Sequence, residues 1–92
     1  MARKELISHK ETFRFTAGDA LSVLLVGDFT HWQSRPLPMR KGPDGIWMAN
    51  VALTPGTHTY RFIVDGEWRD DPECPVHVAN PYGTEDMVRK VQ

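Results

Sequence analysis

The stretch "HTYRFIVDGEWRDDP", residues 58–72, decides the fold. Tyr60, Phe62 and Val64 recur at every second position, the period of a strand with one buried face. Asp65–Gly66 then supplies a hairpin turn, because a tight type I′ turn needs positive φ at both central residues and Asp-Gly is a preferred pair there. Once the turn is fixed, so is the pairing: Val64 meets Glu67, Ile63 meets Trp68, Phe62 meets Arg69 and Arg61 meets Asp70. Directly opposed residues share a face of the sheet. With Tyr60, Phe62 and Val64 in the core, Trp68 stands on the other face beside Arg61 and Ile63. An indole there has two readings, and parity leaves both open. It covers the sheet edge or the proline-rich chain that follows, or it is a platform for a ligand.

On either side of this hairpin the same texture of short strands and turns continues. "TFRF" (12–15) puts Phe13 and Phe15 on one face, and "LSVLLV" (21–26) is apolar on both, as in a well-buried strand. "PLPMR" (36–40) reads as a short edge strand, since its prolines cannot serve a central ladder. "IWMANVAL" (46–53) alternates, with Trp47, Ala49, Val51 and Leu53 facing the core, and "DMVRKV" (86–91) reads as a final strand. "GDFTHWQSRP" (27–36) reads as a loop anchored by Phe29, and "DPECPVHVANPYGT" (71–84) as irregular chain. The sum is about seven short strands at turn spacings of roughly 8–12 residues, which predicts an all-β, immunoglobulin-like antiparallel β-sandwich, with a small barrel as the alternative. Residues 1–10 are polar and are expected to be a loosely ordered N-terminal segment, leaving 11–92 as the domain.

Composition narrows the function classes. With 92 residues the chain suits one domain with one thin core. A net charge of −1 with scattered basic residues gives no footprint for nucleic acid or an anionic membrane. No apolar run approaches the roughly 18–20 residues of a spanning helix. The start "MARKELISHKE" lacks the apolar core of a secretory signal, and the single cysteine, Cys74, permits no internal disulfide, so a cytoplasmic location is expected. The four histidines show no metal-ligand spacing, and neither a metal nor a cofactor is expected.

A tryptophan beside an arginine on an open sheet face suits a sugar. A pyranose has an apolar C–H face that an indole plane covers with little loss of conformational freedom. Its rim of hydroxyls matches the fixed donor fork of a guanidinium such as that of Arg61.

At this point the residues carry a family resemblance. "LVGDFTHW" (25–32), "GIWMANVALTPGTHTYRFIVDGEWRDDP" (45–72) and "YGT" (82–84) resemble carbohydrate-binding module family 48. That family includes the glycogen-binding domain of the AMP-activated kinase β subunit and is similar to the N-terminal early-set domains of isoamylases and branching enzymes. The resemblance runs from about residue 11 to the end and implies an early-set, immunoglobulin-like β-sandwich. It implies further that Trp32 and Trp68 stack on α-1,4-linked glucose units and that Arg61, where the kinase subunit has lysine, hydrogen-bonds sugar hydroxyls. Tyr82 takes the place of the loop's apolar residue and Thr84 follows it. Asp86 stands where the kinase subunit has asparagine. An ionised aspartate only accepts hydrogen bonds, so the change either retunes affinity or ties Arg61 into an ion pair.

Two functions are thereby expected to compete. One is a non-catalytic binding module for glycogen, starch or maltooligosaccharides. The other is an early-set interaction domain that docks on an amylolytic enzyme or a kinase complex with weak or no sugar binding. Intact Trp32, Arg61 and Trp68 favour the first. A glycosidase needs two carboxyl groups about 5–9.5 Å apart with one held protonated. Asp65 and Asp71 are better explained by their turns, and no enzymatic activity is expected.

Overall fold

The computed structural model describes residues 8–92. The loose segment expected over 1–10 falls mostly outside the described residues, but His9 and Lys10 are already strand. Nine strands are present among the described residues: β1 (His9–Thr16), β2 (Val23–Gly27), β3 (Leu37–Pro38), β4 (Arg40–Lys41), β5 (Ile46–Leu53), β6 (Gly56–Val64), β7 (Glu67–Arg69), β8 (His77–Ala79) and β9 (Glu85–Val91). They form two antiparallel sheets. One has the order β1-β5-β4, the other β3-β2-β6-β9-β8, with β7 also paired to β6.

The excess over about seven strands has two sources. The expected edge strand at 36–40 is two short pieces in different sheets: β3 pairs with Leu24 and Leu25, and β4 with Trp47 and Met48. Between them Met39 is buried and donates its N–H to the Val23 carbonyl at 2.9 Å. A strand that changes sheets in this way makes a corner of the sandwich. The prolines at 36 and 38 flagged an edge but not a crossing. The second source is β8, a three-residue strand inside the segment that reads as irregular chain.

Phe13, Val23, Leu25, Trp47, Tyr60, Phe62 and Met87 meet between the sheets as one buried cluster. Tyr60 packs edge-on against Phe13 with centroids 4.8 Å apart. At one end Arg89 closes the core. Its guanidinium lies 4.2 Å from the Phe13 ring centroid and donates to Glu11 Oε1 at 3.0 Å, a cation over an aromatic face that is also ion-paired.

The decisive hairpin forms in the expected register, Val64 with Glu67, Ile63 with Trp68 and Phe62 with Arg69. Asp65 and Gly66 both have positive φ, 50° and 84°. The Asp65 carboxylate also accepts from the N–H groups of Leu21 and Ser22, both at 2.9 Å, so the turn aspartate pins a second loop.

One consequence of the pairing positions the site. Along one edge β6 pairs with β2. Along its other edge it pairs first with β9, from Gly56 to Tyr60, and then with β7, from Phe62 to Val64. Arg61 is the residue between the two ladders. The sheet therefore has a notch, with Arg61 at its floor, β7 on one side and the β8–β9 hairpin on the other.

Candidate functional site

All six residues singled out from the sequence, Trp32, Arg61, Trp68, Tyr82, Thr84 and Asp86, line one open groove of about 690 Å³, together with Gln33, Asn80 and Pro81. The groove is the notch beside Arg61, roofed at either end by loops.

Trp32 arrives on the loop after β2. Val26 faces the same side as Arg61, away from the core, yet is fully buried. The two short 3-10 turns, Asp28–Thr30 and Trp32–Ser34, pack back onto β2. Three contacts hold them there. The Asp28 carboxylate accepts from the Thr59 N–H at 3.1 Å and faces His58 Nδ1 at 3.3 Å. The buried Thr30 hydroxyl accepts from the Gly27 N–H at 2.9 Å and donates to the Trp32 carbonyl at 2.8 Å. Phe29 stacks on Phe13 with centroids 5.8 Å apart, which is the anchoring expected of it. Gly27 is required by close approach: a Cβ there would lie 2.5 Å from the Thr59 carbonyl oxygen and 2.7 Å from the Phe29 ring. His31 and Trp32 both adopt positive φ, 50° and 57°. Left-handed backbone at two successive non-glycine residues costs of order 1 kcal/mol each and persists only where the surroundings impose it. Here the strain turns Trp32 into the groove.

Trp68 lies where hairpin parity puts it, opposite Ile63 on the outer face and 40% exposed. The Arg61 guanidinium carbon sits 5.3 Å from the indole centroid, and Arg61 Nη2 donates to Asp70 Oδ1 at 2.9 Å. The ion pair considered between Arg61 and Asp86 does not form; the hairpin neighbour Asp70 takes the guanidinium instead. Arg61 Nε is buried with no hydrogen-bond partner, alone in this respect among the described side chains. A buried donor left unmet is costly unless something supplies an acceptor.

Asp86 is buried and is bonded elsewhere, accepting from Asn80 Nδ2 at 3.0 Å. Asn80 also holds the loop that carries Tyr82 and Thr84. Tyr82 itself is 88% exposed at the loop tip. Sequence reasoning missed Gln33, Asn80 and Asp70. Asp70 was legible as the hairpin partner of Arg61, whereas Asn80 lies in chain with no periodic pattern.

Asp86 in the groove and Asp70 beside Arg61 are thus engaged in holding neighbours. A smaller cleft of about 450 Å³ elsewhere on the sandwich includes Tyr60, Asp71 and Arg89, and these too are paired, Tyr60 with Asp71 at 2.6 Å and Arg89 with Glu11. No group of three or more His, Cys, Asp or Glu side chains suited to a metal is found among the described residues. No helix among them is long and apolar enough to cross a membrane.

Comparison with known proteins identifies the family. Residues 9–91 match the family described as the glycogen recognition site of AMP-activated protein kinase. Protein PTST homolog 2, chloroplastic, from Arabidopsis thaliana is 36% identical over 63 residues, covering 68% of this chain and 12% of that protein. The 5'-AMP-activated protein kinase subunit beta-1 of Bos taurus is 38% identical over 80 residues, covering 87% of this chain and 28% of that one. The chain thus spans well under a third of the length of either relative. Apo pullulanase from Paenibacillus barengoltzii superimposes with a TM-score of 0.56 at 26% identity, over 98% of this chain and 15% of the pullulanase. The chain belongs to the family of the glycogen recognition site of AMP-activated protein kinase, and it is a carbohydrate-binding module.

Proposed function

We propose that the groove binds α-1,4-linked glucans of glycogen, starch or maltooligosaccharides without cleaving them. Trp32 and Trp68 stack on glucose rings, Tyr82 adds a third aromatic at the loop tip, and Thr84 lies beside it for a hydroxyl contact. Arg61 donates to sugar hydroxyls. The observation that carries this reading is that Trp32, Trp68 and Tyr82 line one groove with the Arg61 guanidinium beside the Trp68 indole. The Arg61 guanidinium offers donors to glucose hydroxyls while the sugar's ring face covers the indole. Hydrolysis is not proposed, since Asp70 and Asp86 are bound to Arg61 and Asn80.

A shallow, solvent-rimmed groove gives affinity in the micromolar to millimolar range, roughly −4 to −8 kcal/mol. Polymeric glycogen binds more tightly in appearance, because its many chain ends raise the effective concentration. Calorimetry with maltoheptaose and native affinity gels with glycogen, amylopectin and a cellulose control test this. Heat and retardation with the α-glucans alone are expected. Silence with every α-glucan favours the second reading, docking on a glycogen- or starch-metabolising enzyme or a kinase subunit, which rests on the kinase subunit and pullulanase named above. A cytoplasmic location is proposed from the lone thiol; the relative designated chloroplastic makes a plastid the outcome to test against it.

A further inference from the structure

We propose that Asn80 is the positioning residue of the groove, the clamp that makes an exposed loop tyrosine a fixed wall; this rests on the glucan reading above. Tyr82 is 88% exposed between Pro81 and Gly83, whose φ is +82°. A side chain so placed presents a defined stacking surface only if its backbone is held. Asn80 supplies that hold. Its Oδ1 accepts from the N–H groups of Tyr82 at 3.0 Å and Thr84 at 3.1 Å. Its Nδ2 donates to Thr84 Oγ1 at 2.7 Å and to Asp86 Oδ1 at 3.0 Å. The amide orientation follows from these partners, since two N–H groups must face an oxygen and a carboxylate must face the NH₂.

All donors and acceptors of the carboxamide are thereby used, and they join two structural levels. One side folds the 80–84 loop on itself, and the other ties it to β9 through the buried Asp86. Aspartate at 80 would keep the loop acceptor but lose the tie. Alanine would lose both. Asp86 then contributes as the buried anchor for Asn80, which explains why an acceptor-only side chain is compatible with this position.

The test exchanges donor and acceptor. Asn80→Asp sets a second carboxylate against Asp86. Maltoheptaose affinity is expected to fall about tenfold, the scale of losing one preorganised contact, and the Tyr82 and Thr84 amides to exchange faster by nuclear magnetic resonance. Asn80→Ala, which adds no charge, must weaken binding as well. In the double variant Asn80→Asp/Asp86→Asn the new amide donates back across the same gap, and Thr84 Oγ1 donates to the new carboxylate. Affinity and amide protection are expected to recover. Wild-type binding in Asn80→Ala, or a double variant no better than Asn80→Asp, overturns the proposal. Failure of the unaltered protein to bind maltoheptaose overturns the glucan reading instead, and the amide protection then still decides whether Asn80 holds the loop.

Discussion

Trp47 and Trp68 are the same side chain on two strands of one sandwich, and they do opposite work. Trp47 faces inward from β5, is 8% exposed and donates its indole N–H to the Ala17 carbonyl at 2.9 Å. Trp68 faces outward from β7, is 40% exposed and has the Arg61 guanidinium beside its ring. The tyrosines repeat the contrast, Tyr60 buried and bonded to Asp71, Tyr82 exposed at a loop tip. The difference teaches that parity along a strand, rather than residue type, sorts aromatics into core and site. The largest effect is therefore expected at Trp47. Trp47→Ala should cost about 3–5 kcal/mol through lost burial and a cavity, a large part of the roughly 5–15 kcal/mol that holds a domain together. Denaturant midpoints measure it. A stable Trp47→Ala beside an unfolded Trp68→Ala would invert the face assignment.

The outward partners are expected to show the reverse profile. Trp68→Ala and Trp32→Ala should each change stability by about 1 kcal/mol or less, as at sites without core packing. Each should lower maltooligosaccharide affinity by roughly 1–3 kcal/mol, taking aromatic stacking on nucleic-acid bases as the guide. Titration calorimetry on the folded variants reads this. Unchanged affinity in both would leave the groove without its platforms.

The tyrosine pair sharpens the contrast through pH. Burial, then the hydrogen bond and charge of Asp71, push the Tyr60 phenol far above its ordinary value of 10.0. A group with a raised folded pKa contributes stability below its unfolded pKa and loses it as the pH climbs. The domain should therefore weaken progressively above about pH 10, where the unfolded chain releases the Tyr60 proton and the folded one retains it. Tyr60→Phe should cost about 1–2 kcal/mol at neutral pH, because Asp71 loses a buried donor. It should also flatten part of the alkaline decline. Tyr82→Phe, at an exposed loop tip, should leave stability at neutral pH unchanged. An unchanged alkaline slope in Tyr60→Phe would show that other groups set it.

The same contrast explains what could be read in advance. The hairpin register, the inward Trp47 and the outward Trp68 follow from period-two alternation around a turn of known chemistry, so they were legible. The sheet-crossing at Met39 was not, because two-residue strands carry too few positions to show a period. β8 was hidden for the same reason, among prolines. At the site the groove tryptophans were legible by parity and resemblance, but Asn80 was not. Arg61 has acidic neighbours at 70 and 86, and the hairpin register already sets Asp70 beside it, whereas a pairing with Asp86 arises only because the resemblance puts Asp86 near the same groove. Asp70 wins because it follows β7 directly and its carboxylate reaches the Arg61 guanidinium at 2.9 Å, while Asp86 faces an asparagine whose loop has no regular pattern to place it.

The smallest effects concern charge. In the Arg61–Asp70 pair the guanidinium is 14% exposed but the carboxylate is 52% exposed, and pairs open to water on one side in this way contribute about 0–1 kcal/mol. Asp70→Ala should thus leave stability nearly unchanged and weaken maltoheptaose binding only about threefold, by letting the guanidinium leave its place against Trp68. Added salt should do less still. The proposed ligand is neutral, so its binding releases no condensed counterions, in contrast to nucleic acid, whose affinity falls steeply between about 50 and 200 mM salt. The stacking and hydroxyl contacts that remain are short-ranged and lie within the Debye length, which is roughly 10 Å at 0.1 M. Maltoheptaose affinity should therefore stay within about twofold over that range, in the unaltered protein and in Asp70→Ala alike. A steep loss would mean that Arg61 recognises an anionic ligand, and that Trp68 is the apolar flank of a charge site rather than the platform of a sugar site.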